Sequence, residues 1–505
     1  MAAPNLAQAL QQHLERRTGK PVALKETHIS WVLLTQRLAF KLKKPVKLPF
    51  LDFSTPALRQ RCCEEELRLN RRLAPTIYRA VVPVRGSALA PRLGGGGEVI
   101  DHALCMRRFP DGALLSERLA AGTLAPELLD QLAARIARFH RDASAQPPDA
   151  SHGTPERIVH TVRTVLLQLA PGLEHAPSHW LARWVETQAA ALHDTWLQRR
   201  AQGFVRECHG DLHLANAVCL DREVTAFDCI EFDPALRWID TMSELGFLTM
   251  DLKAHGRPDL AWRFLDGALQ ASGDFAGLRV LRFYEVYRAL VRALVAQIAA
   301  RGGGMEAGGP DYLGCAQALA REAATPPRLA ILFGMSGSGK STLALQLLQA
   351  AGAVRVRSDV ERKRLFGLDA LQSSAGVDIY TPEATARTYA RLAECARSAL
   401  AGGTSVIVDA AFLRRGERDA LRSLAAQMNA PFSIIACKAD AAVLRRRVAA
   451  RAAAGGDASE ADLRVLQRQL DTHEPLAPQE LQRTIAVSTA AAVDIVALAR
   501  QWMHA

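Results

Sequence analysis

GMSGSGKS, Gly334 to Ser341, is the stretch whose reading decides the fold of the second half of the chain. It satisfies GxxxxGK[ST] at every fixed position. The apolar run LAILF (329–333) precedes it, and a helical pattern opens near Ser341. Strand, loop and helix in that order predict a phosphate-binding loop. Gly334, Gly337 and Gly339 let the backbone curl, so that the N–H groups along Met335, Ser336 and Ser338 can face phosphate oxygens. Lys340 adds a cation for the β- and γ-phosphates, and the Ser341 hydroxyl is placed to bind Mg²⁺. Thr342 completes the candidate nucleotide-binding set. The motif lies two-thirds of the way along the chain, which leaves the first 330 residues to be explained.

Working outward, the second half alternates strand and helix signals. TSVIVDA (404–410) and FSIIAC (432–437) read as buried strands. TPEATARTYARLAECARSALAGG reads as a helix with Thr381 as N-cap, Pro382 at its first position, and Gly402 and Gly403 at its end. These lengths predict a parallel sheet sandwiched by helices, an α/β fold. Asp359, in VRVRSDVERKRL, and Asp409, closing SVIVD, fall at strand ends, where ligands of open α/β sheets bind. A carboxylate there can orient Mg²⁺ or accept a proton from an attacking hydroxyl, or it can simply cap the next helix.

The segment 328–490 resembles the P-loop small-molecule and nucleic-acid kinases, the group with gluconate kinase, polynucleotide kinase and the zeta toxins. The resemblance rests on GMSGSGKS, RSDVERKRLFG, VIVDAAF and LRRRVAARAAAGGDASEADLRVLQRQ. It implies that Asp359 activates the acceptor hydroxyl and that Arg362 binds the substrate. It also implies Arg447 and Arg451 as lid arginines closing over the phosphates, while Asp409, from its strand-end position, is the candidate at the metal. The two arginines are four apart, hence on one helix face.

The bulk properties bound the rest. With 505 residues, two or three domains are expected. The composition, 49% hydrophobic and 23% charged, is that of an ordinary globular protein, with no run of 18 apolar residues to cross a membrane. The N-terminal segment reads as an amphipathic helix, so a cytoplasmic location without a membrane partner is expected. Nine cysteines without CxxC pairs or zinc-ligand spacing predict free thiols. The net charge of +11 is spread over scattered arginines and does not by itself point to nucleic acid. RGGGMEAGGP (301–310) and TPP (325–327) place a boundary near residue 325, between a domain at 1–320 and one at 328–505. DYLGCAQALAREAA between them reads as a connecting helix.

The first half has another pattern: strand signals in SWVLL, LAFKLK and RAVVPV, then mostly helix after residue 113 with a strand around 224–228. HGDLHLANAVCLDREVTAFD, His209 to Asp228, carries its chemistry. It is HxDxxxxN followed twelve residues later by an Asp. Asp211 can accept the proton of a hydroxyl, and Asn216 and Asp228 can together hold Mg²⁺. Upstream, Lys41 and Lys43 share one face of a strand, since side chains alternate. One of them would meet the α- and β-phosphates, and one of Glu64, Glu65 and Glu66 would pair with it.

Residues 1–300 resemble the aminoglycoside phosphotransferase group of the protein-kinase-like fold, through HGDLHLAN above all. The resemblance implies a bilobal α+β domain with Asp211 as catalytic base and Asn216 and Asp228 as Mg²⁺ ligands. Lys41 matches the strand lysine and Glu66 the helix glutamate. His209 would brace the loop, and Asp240 would tie it to the next helix. The chain departs from the group in having no GxGxxG, since ETHISWVLLTQRLAF contains no glycine, and in lacking an acidic cluster suited to a polycationic drug. As a whole the chain is similar to bacterial two-domain proteins labelled bifunctional aminoglycoside phosphotransferase/ATP-binding protein. These readings converge on an ATP- and Mg²⁺-dependent kinase with two nucleotide sites and unknown hydroxyl acceptors. Two alternatives stand beside it: a protein in which one domain only senses nucleotide, and a nucleic-acid end kinase or toxin-like module in the second half.

Overall fold

The computed structural model describes residues 5–48, 51–169, 175–301, 309–321, 326–454 and 456–504. The boundary that the sequence places near residue 325, and the glycine run at 302–308, lie outside these described residues.

The apolar runs of the second half form one five-stranded parallel sheet. Its spatial order is Ala353–Arg357, Ser405–Asp409, Leu329–Phe333, Phe432–Lys438, Thr484–Ser488. Burial is nearly continuous along the three inner strands, as a parallel sheet covered on both faces requires. The last strand was not read from the sequence. It alternates buried and less buried positions at the sheet edge and carries only a short apolar signal. One side of the sheet is covered by the helix Lys340–Ala351 and the terminal helix Ile495–His504, whose Leu343, Leu347, Leu498 and Trp502 share one core. The helix Pro382–Ala401 starts as its sequence predicts: the Thr381 hydroxyl accepts the Ala384 N–H at 3.0 Å.

Two compact units are distinguishable. The first comprises Met1–Arg135, Phe139–Gly153 and Gly203–Glu244; the second comprises Ile136–Arg138, Thr154–Gln202 and Leu245–Ala505. The second unit therefore contains, besides the parallel sheet, helices that precede it in sequence. One of these, Pro258–Ser272, is joined to the sheet by a buried ion pair, Asp266 to Arg355 at 2.9 Å. The Arg355 guanidinium also donates to the Ser341 carbonyl at 3.0 Å.

The first unit is built on a six-stranded antiparallel sheet, ordered Ala23–Glu26, Ser30–Leu34, Leu38–Lys43, Val99–Arg107, Tyr78–Ser87, Ala90–Leu93. The amphipathic N-terminal segment forms the helix Leu6–Thr18, and Leu10 and Leu14 pack on Leu33, Phe40, Leu42 and Val84. The helix Pro56–Arg71 carries the glutamate run. The strand expected at 224–228 ends at Ala226 and pairs with Ala217–Leu220 as a hairpin, Ala217 opposite Ala226. Two further short strands, Val205–Glu207 and Trp238–Asp240, pair with each other and were not read from the sequence. Among the described residues no helix is long and apolar enough to cross a membrane, and all nine cysteines are free thiols.

Candidate active site

In the second unit, the loop after Leu329–Phe333 runs into the helix Lys340–Ala351 with Gly339 as its N-cap. Two of its glycines are required by space as well as by φ. At Gly337, φ is 81° and an added Cβ would lie 2.7 Å from the Leu444 carbonyl oxygen; at Gly334, it would lie 2.7 Å from that of Cys437. The Lys340 ammonium spans the loop, donating to the carbonyls of Gly334 and Met335 at 2.8 Å each. Burial lowers its pKa, against the charge of Asp409. Its acceptors are thus neutral, and an incoming polyanion would supply the missing counter-charge.

The loop opens into a cavity of about 480 Å³. Ser336, Gly337, Gly339, Lys340, Ser341 and Thr342 line it from the loop and helix start. Asp359, Arg362, Asp409, Arg447 and Arg451 line it from three other elements. Gly334, Met335 and Ser338 lie in the same loop but are not part of the lining. Asp359 occupies the first turn of the helix Ser358–Leu365, just past the strand. Arg362 is fixed by the Ile379 carbonyl at 2.7 Å, and its guanidinium lies 5.1 Å from the centre of the Tyr380 ring. Asp409 is buried, and its Oδ2 has no hydrogen-bond partner, with only Arg357 Nε at 3.6 Å. An orphaned carboxylate oxygen in the cavity that Ser341 also lines fits a bound Mg²⁺.

Arg447 and Arg451, the two arginines expected to form a lid, are each hydrogen-bonded to backbone carbonyls. Arg447 donates to the Thr489 carbonyl at 2.6 Å and to the Gly337 carbonyl at 3.4 Å; Arg451 donates to the Ala461 carbonyl at 2.8 Å. Three further residues of the site were missed in the sequence. Gln469 accepts the Ser336 N–H at 2.8 Å. Thr489 accepts from Arg447 and donates to the Ser338 carbonyl at 2.8 Å. Arg357 is opposed by burial, yet the carboxylates of Asp409, Asp457 and Asp359 hold its pKa above the ordinary value. The alternation of VRVR before Asp359 was the available signal for Arg357; Gln469 and Thr489 had none.

In the first unit the lysine pair resolves unexpectedly. Lys41 and Lys43 are not alternatives, because both bind Glu66: Lys41 to Oε1 at 2.9 Å and Lys43 to Oε2 at 2.7 Å. Burial would raise the Glu66 carboxyl, but the two lysines hold it at about 2. Lys41 also reaches Asp228 at 2.6 Å, and Lys43 pairs with the buried Glu231. Of the other two glutamates, Glu65 binds Arg68 and Arg237, and Glu64 accepts from Gln60.

The catalytic-loop candidates meet at the open end of the hairpin. The Asn216 amide donates to Asp211 Oδ2 at 2.9 Å, and the Asn216 carbonyl accepts the Phe227 N–H at 2.9 Å, next to Asp228. Asp228 has φ of 67°, which turns the chain sharply after the strand. His209 braces the loop as expected. Its Nδ1 accepts the Asp211 N–H at 3.2 Å, so Nε2 carries the proton donated to the Phe227 carbonyl at 2.8 Å. Burial lowers its pKa, in keeping with this neutral ring. Asp240 accepts the Met242 N–H at 2.8 Å, at the start of the helix Thr241–Ala254. Glu244, unremarked in the sequence, takes the N–H groups of His209 and Gly210 at 2.7 and 2.8 Å and binds His140 at 2.9 Å. Where a glycine loop is absent, Thr27 closes the turn, accepting the Ser30 N–H on its hydroxyl at 3.0 Å.

A family model described as an AAA domain matches residues 329–476. The uncharacterized protein Rv2004c of Mycobacterium tuberculosis strain H37Rv is 31% identical over 450 residues, covering 88% of this chain and 89% of its own length. Mb2027c of Mycobacterium bovis, also uncharacterized, matches to the same extent. Among solved structures, a sugar kinase from Janibacter sp. is 25% identical and covers 35% of this chain and 95% of its own, at a TM-score of 0.28. A choline/ethanolamine kinase family protein from Mesorhizobium loti is 12% identical and covers 59% and 85%, at a TM-score of 0.35. At these TM-scores neither structural likeness carries an argument. The motif, the sheet order and the AAA-domain match agree on a nucleotide-binding P-loop domain in the second half.

Proposed function

The chain belongs to the family of the uncharacterized mycobacterial protein Rv2004c, and on that premise we propose that it is an ATP- and Mg²⁺-dependent phosphotransferase with two nucleotide sites. Each site transfers a γ-phosphoryl group to a hydroxyl acceptor. The observation that carries this reading is the single cavity that gathers Lys340, Ser341, Asp359, Arg362, Asp409, Arg447 and Arg451 from elements spread over more than a hundred residues. Asp359 receives the proton of the acceptor hydroxyl, Arg362 orients the acceptor, and Lys340, Arg447 and Arg451 stabilise the charge of the transferring group. Most of the rate then comes from positioning and fixed charge.

The first unit, in this reading, belongs to an aminoglycoside-phosphotransferase-like, bilobal kinase domain that runs over residues 1–320. Asp211 is its base, kept aligned by Asn216 and by the His209 brace, and Lys41 meets the α- and β-phosphates. Ser341 with Asp409, and Asn216 with Asp228, would hold Mg²⁺, which when bound neutralises charge on the phosphate oxygens. The covalent division at 1–320 and 328–505 belongs to the same proposal.

The test is ATP turnover by the purified chain against a pooled panel of metabolites and oligonucleotides, with Asp211→Ala, Lys340→Ala and the double variant alongside. Each single change is expected to remove a separate product. If Lys340→Ala abolishes all turnover and Asp211→Ala changes nothing, the first unit is a binding or regulatory module. If only oligonucleotides are phosphorylated, and in a strongly salt-dependent way, the second unit is a nucleic-acid end kinase.

A further inference from the structure

The pairing of Lys41 with Glu66 accounts for one oxygen of that carboxylate. The other is taken by Lys43, which is fully buried and continues to Glu231, also buried. The Lys43 ammonium lies 4.9 Å from the centre of the Phe53 ring, so it is enclosed by that ring and two carboxylates. Glu231 closes the four-residue segment that begins with Asp228. Each residue of that segment is tied down. The Asp228 N–H donates to the Tyr78 hydroxyl at 3.0 Å, the Cys229 N–H to Asn70 Oδ1 at 2.9 Å, and the Ile230 N–H to the His209 carbonyl at 3.1 Å. Asn70 and Glu66 lie one turn apart on the same helix, Pro56–Arg71. That helix therefore grips the segment twice, through Asn70 at Cys229 and through the Glu66–Lys43–Glu231 bridge at its end.

From this geometry we infer that Lys43 and Glu231 are positioning residues that preassemble the first unit's Mg²⁺-nucleotide site. They touch neither nucleotide nor metal. They lock the Asp228 segment to the helix that holds Lys41, so that Lys41 and Asp228 have their working arrangement before any ligand arrives. In a site without a glycine loop, the fixed Asp228 segment is what confines the phosphates. A buried ion pair removed at one partner leaves a stranded charge, whereas removal of both leaves a neutral gap. The two roles, positioning and mere neutralisation, therefore separate experimentally. The inference rests on the proposed nucleotide site of the first unit.

The experiment measures equilibrium binding of a fluorescent ATP analogue across a Mg²⁺ titration. The full chain carries Lys340→Ala so that the P-loop site is silent. Glu231→Gln, Lys43→Met and the pair Lys43→Met/Glu231→Gln are added to that background, and thermal unfolding is followed in parallel. Lys340→Ala alone is expected to retain one Mg²⁺-dependent site. Glu231→Gln is expected to weaken it by about tenfold or more and to shift its Mg²⁺ dependence to higher concentration, as losses in a supporting shell do. The charge-neutral pair is expected to restore the unfolding transition but not the binding. Full-strength, Mg²⁺-dependent binding by the neutral pair would overturn the inference, leaving the bridge as a structural ion pair. Loss of all binding in Lys340→Ala alone would instead overturn the two-site reading, and the inference with it.

Discussion

The two sites treat positive charge in opposite ways. Lys340 is surrounded by carbonyl oxygens and is disfavoured as a cation by burial. Lys41 and Lys43 are held by the three carboxylates of Glu66, Asp228 and Glu231. The P-loop is an electrostatic vacancy that a polyanion fills directly. The lysines of the first unit are already compensated, and on the proposed function a nucleotide entering there would need Mg²⁺ to offset Asp228. Locality differs as well. The P-loop is eight contiguous residues, whereas Lys41 and Asp228 are 187 positions apart. A site made of backbone amides is readable in one stretch, while a site made of paired side chains exists only once the chain has folded.

The largest break in the comparison should come from Lys340→Ala. A loss on the order of 10³-fold is expected in the product of the second unit, with the first unit's product unchanged; product-resolved initial rates check it. Asp211→Ala should do the reverse, lowering only the first unit's product by about 10²–10⁴-fold, the usual worth of a general base.

A third variant asks how far the second site depends on the helix Pro258–Ser272. Asp266→Ala strands the buried Arg355, which also holds the Ser341 carbonyl. A cost of about 3–5 kcal/mol in the second unit is expected in denaturant unfolding. Asp221→Ala, which removes an exposed partner of Arg107, should cost less than about 1 kcal/mol. Withdrawing Mg²⁺ sharpens the contrast further. Nucleotide binding at the first unit should fall below detection, while the P-loop site, whose lysine hydrogen-bonds carbonyls and not a carboxylate, should retain part of its affinity.

The smallest effect is on pH. Burial holds His209 below its ordinary value of 6.5. The unfolded chain therefore binds a proton first on acidification. The stability that the neutral ring contributes is complete above 6.5 and falls as pH drops toward the folded value. Glu66 acts lower: its stabilisation is present above 4.5 and disappears toward about 2. Denaturant unfolding of the first unit should show stability being lost as pH falls below 6.5, and His209→Gln should flatten that loss.

How much of this was legible follows from the same contrast. The phosphate loop, its flanking strand and helix, and Asp359 a short distance beyond were readable because their chemistry is set by near neighbours. HGDLHLAN placed Asp211 and Asn216 for the same reason, and strand alternation placed Lys41 and Lys43 on one face. Their joint use of Glu66 was not readable, because it depends on a helix that arrives from elsewhere. Glu231, Glu244, Asn70 and Tyr78 look like ordinary core or helix residues in the sequence. They gain their roles only when the segment 228–231 meets the helix Pro56–Arg71 and the catalytic loop. The edge strand Thr484–Ser488 and its neighbour Thr489 were missed because an edge strand is half-buried and carries a weak apolar signal.

Whether one chain holds two independent nucleotide sites is decided by calorimetric stoichiometry with MgATP. The intact chain should bind two equivalents. Lys340→Ala should bind one, and Asp228→Ala should bind one of the other kind. A single equivalent in the intact chain, lost entirely in Lys340→Ala and untouched in Asp228→Ala, would contradict the two-site reading.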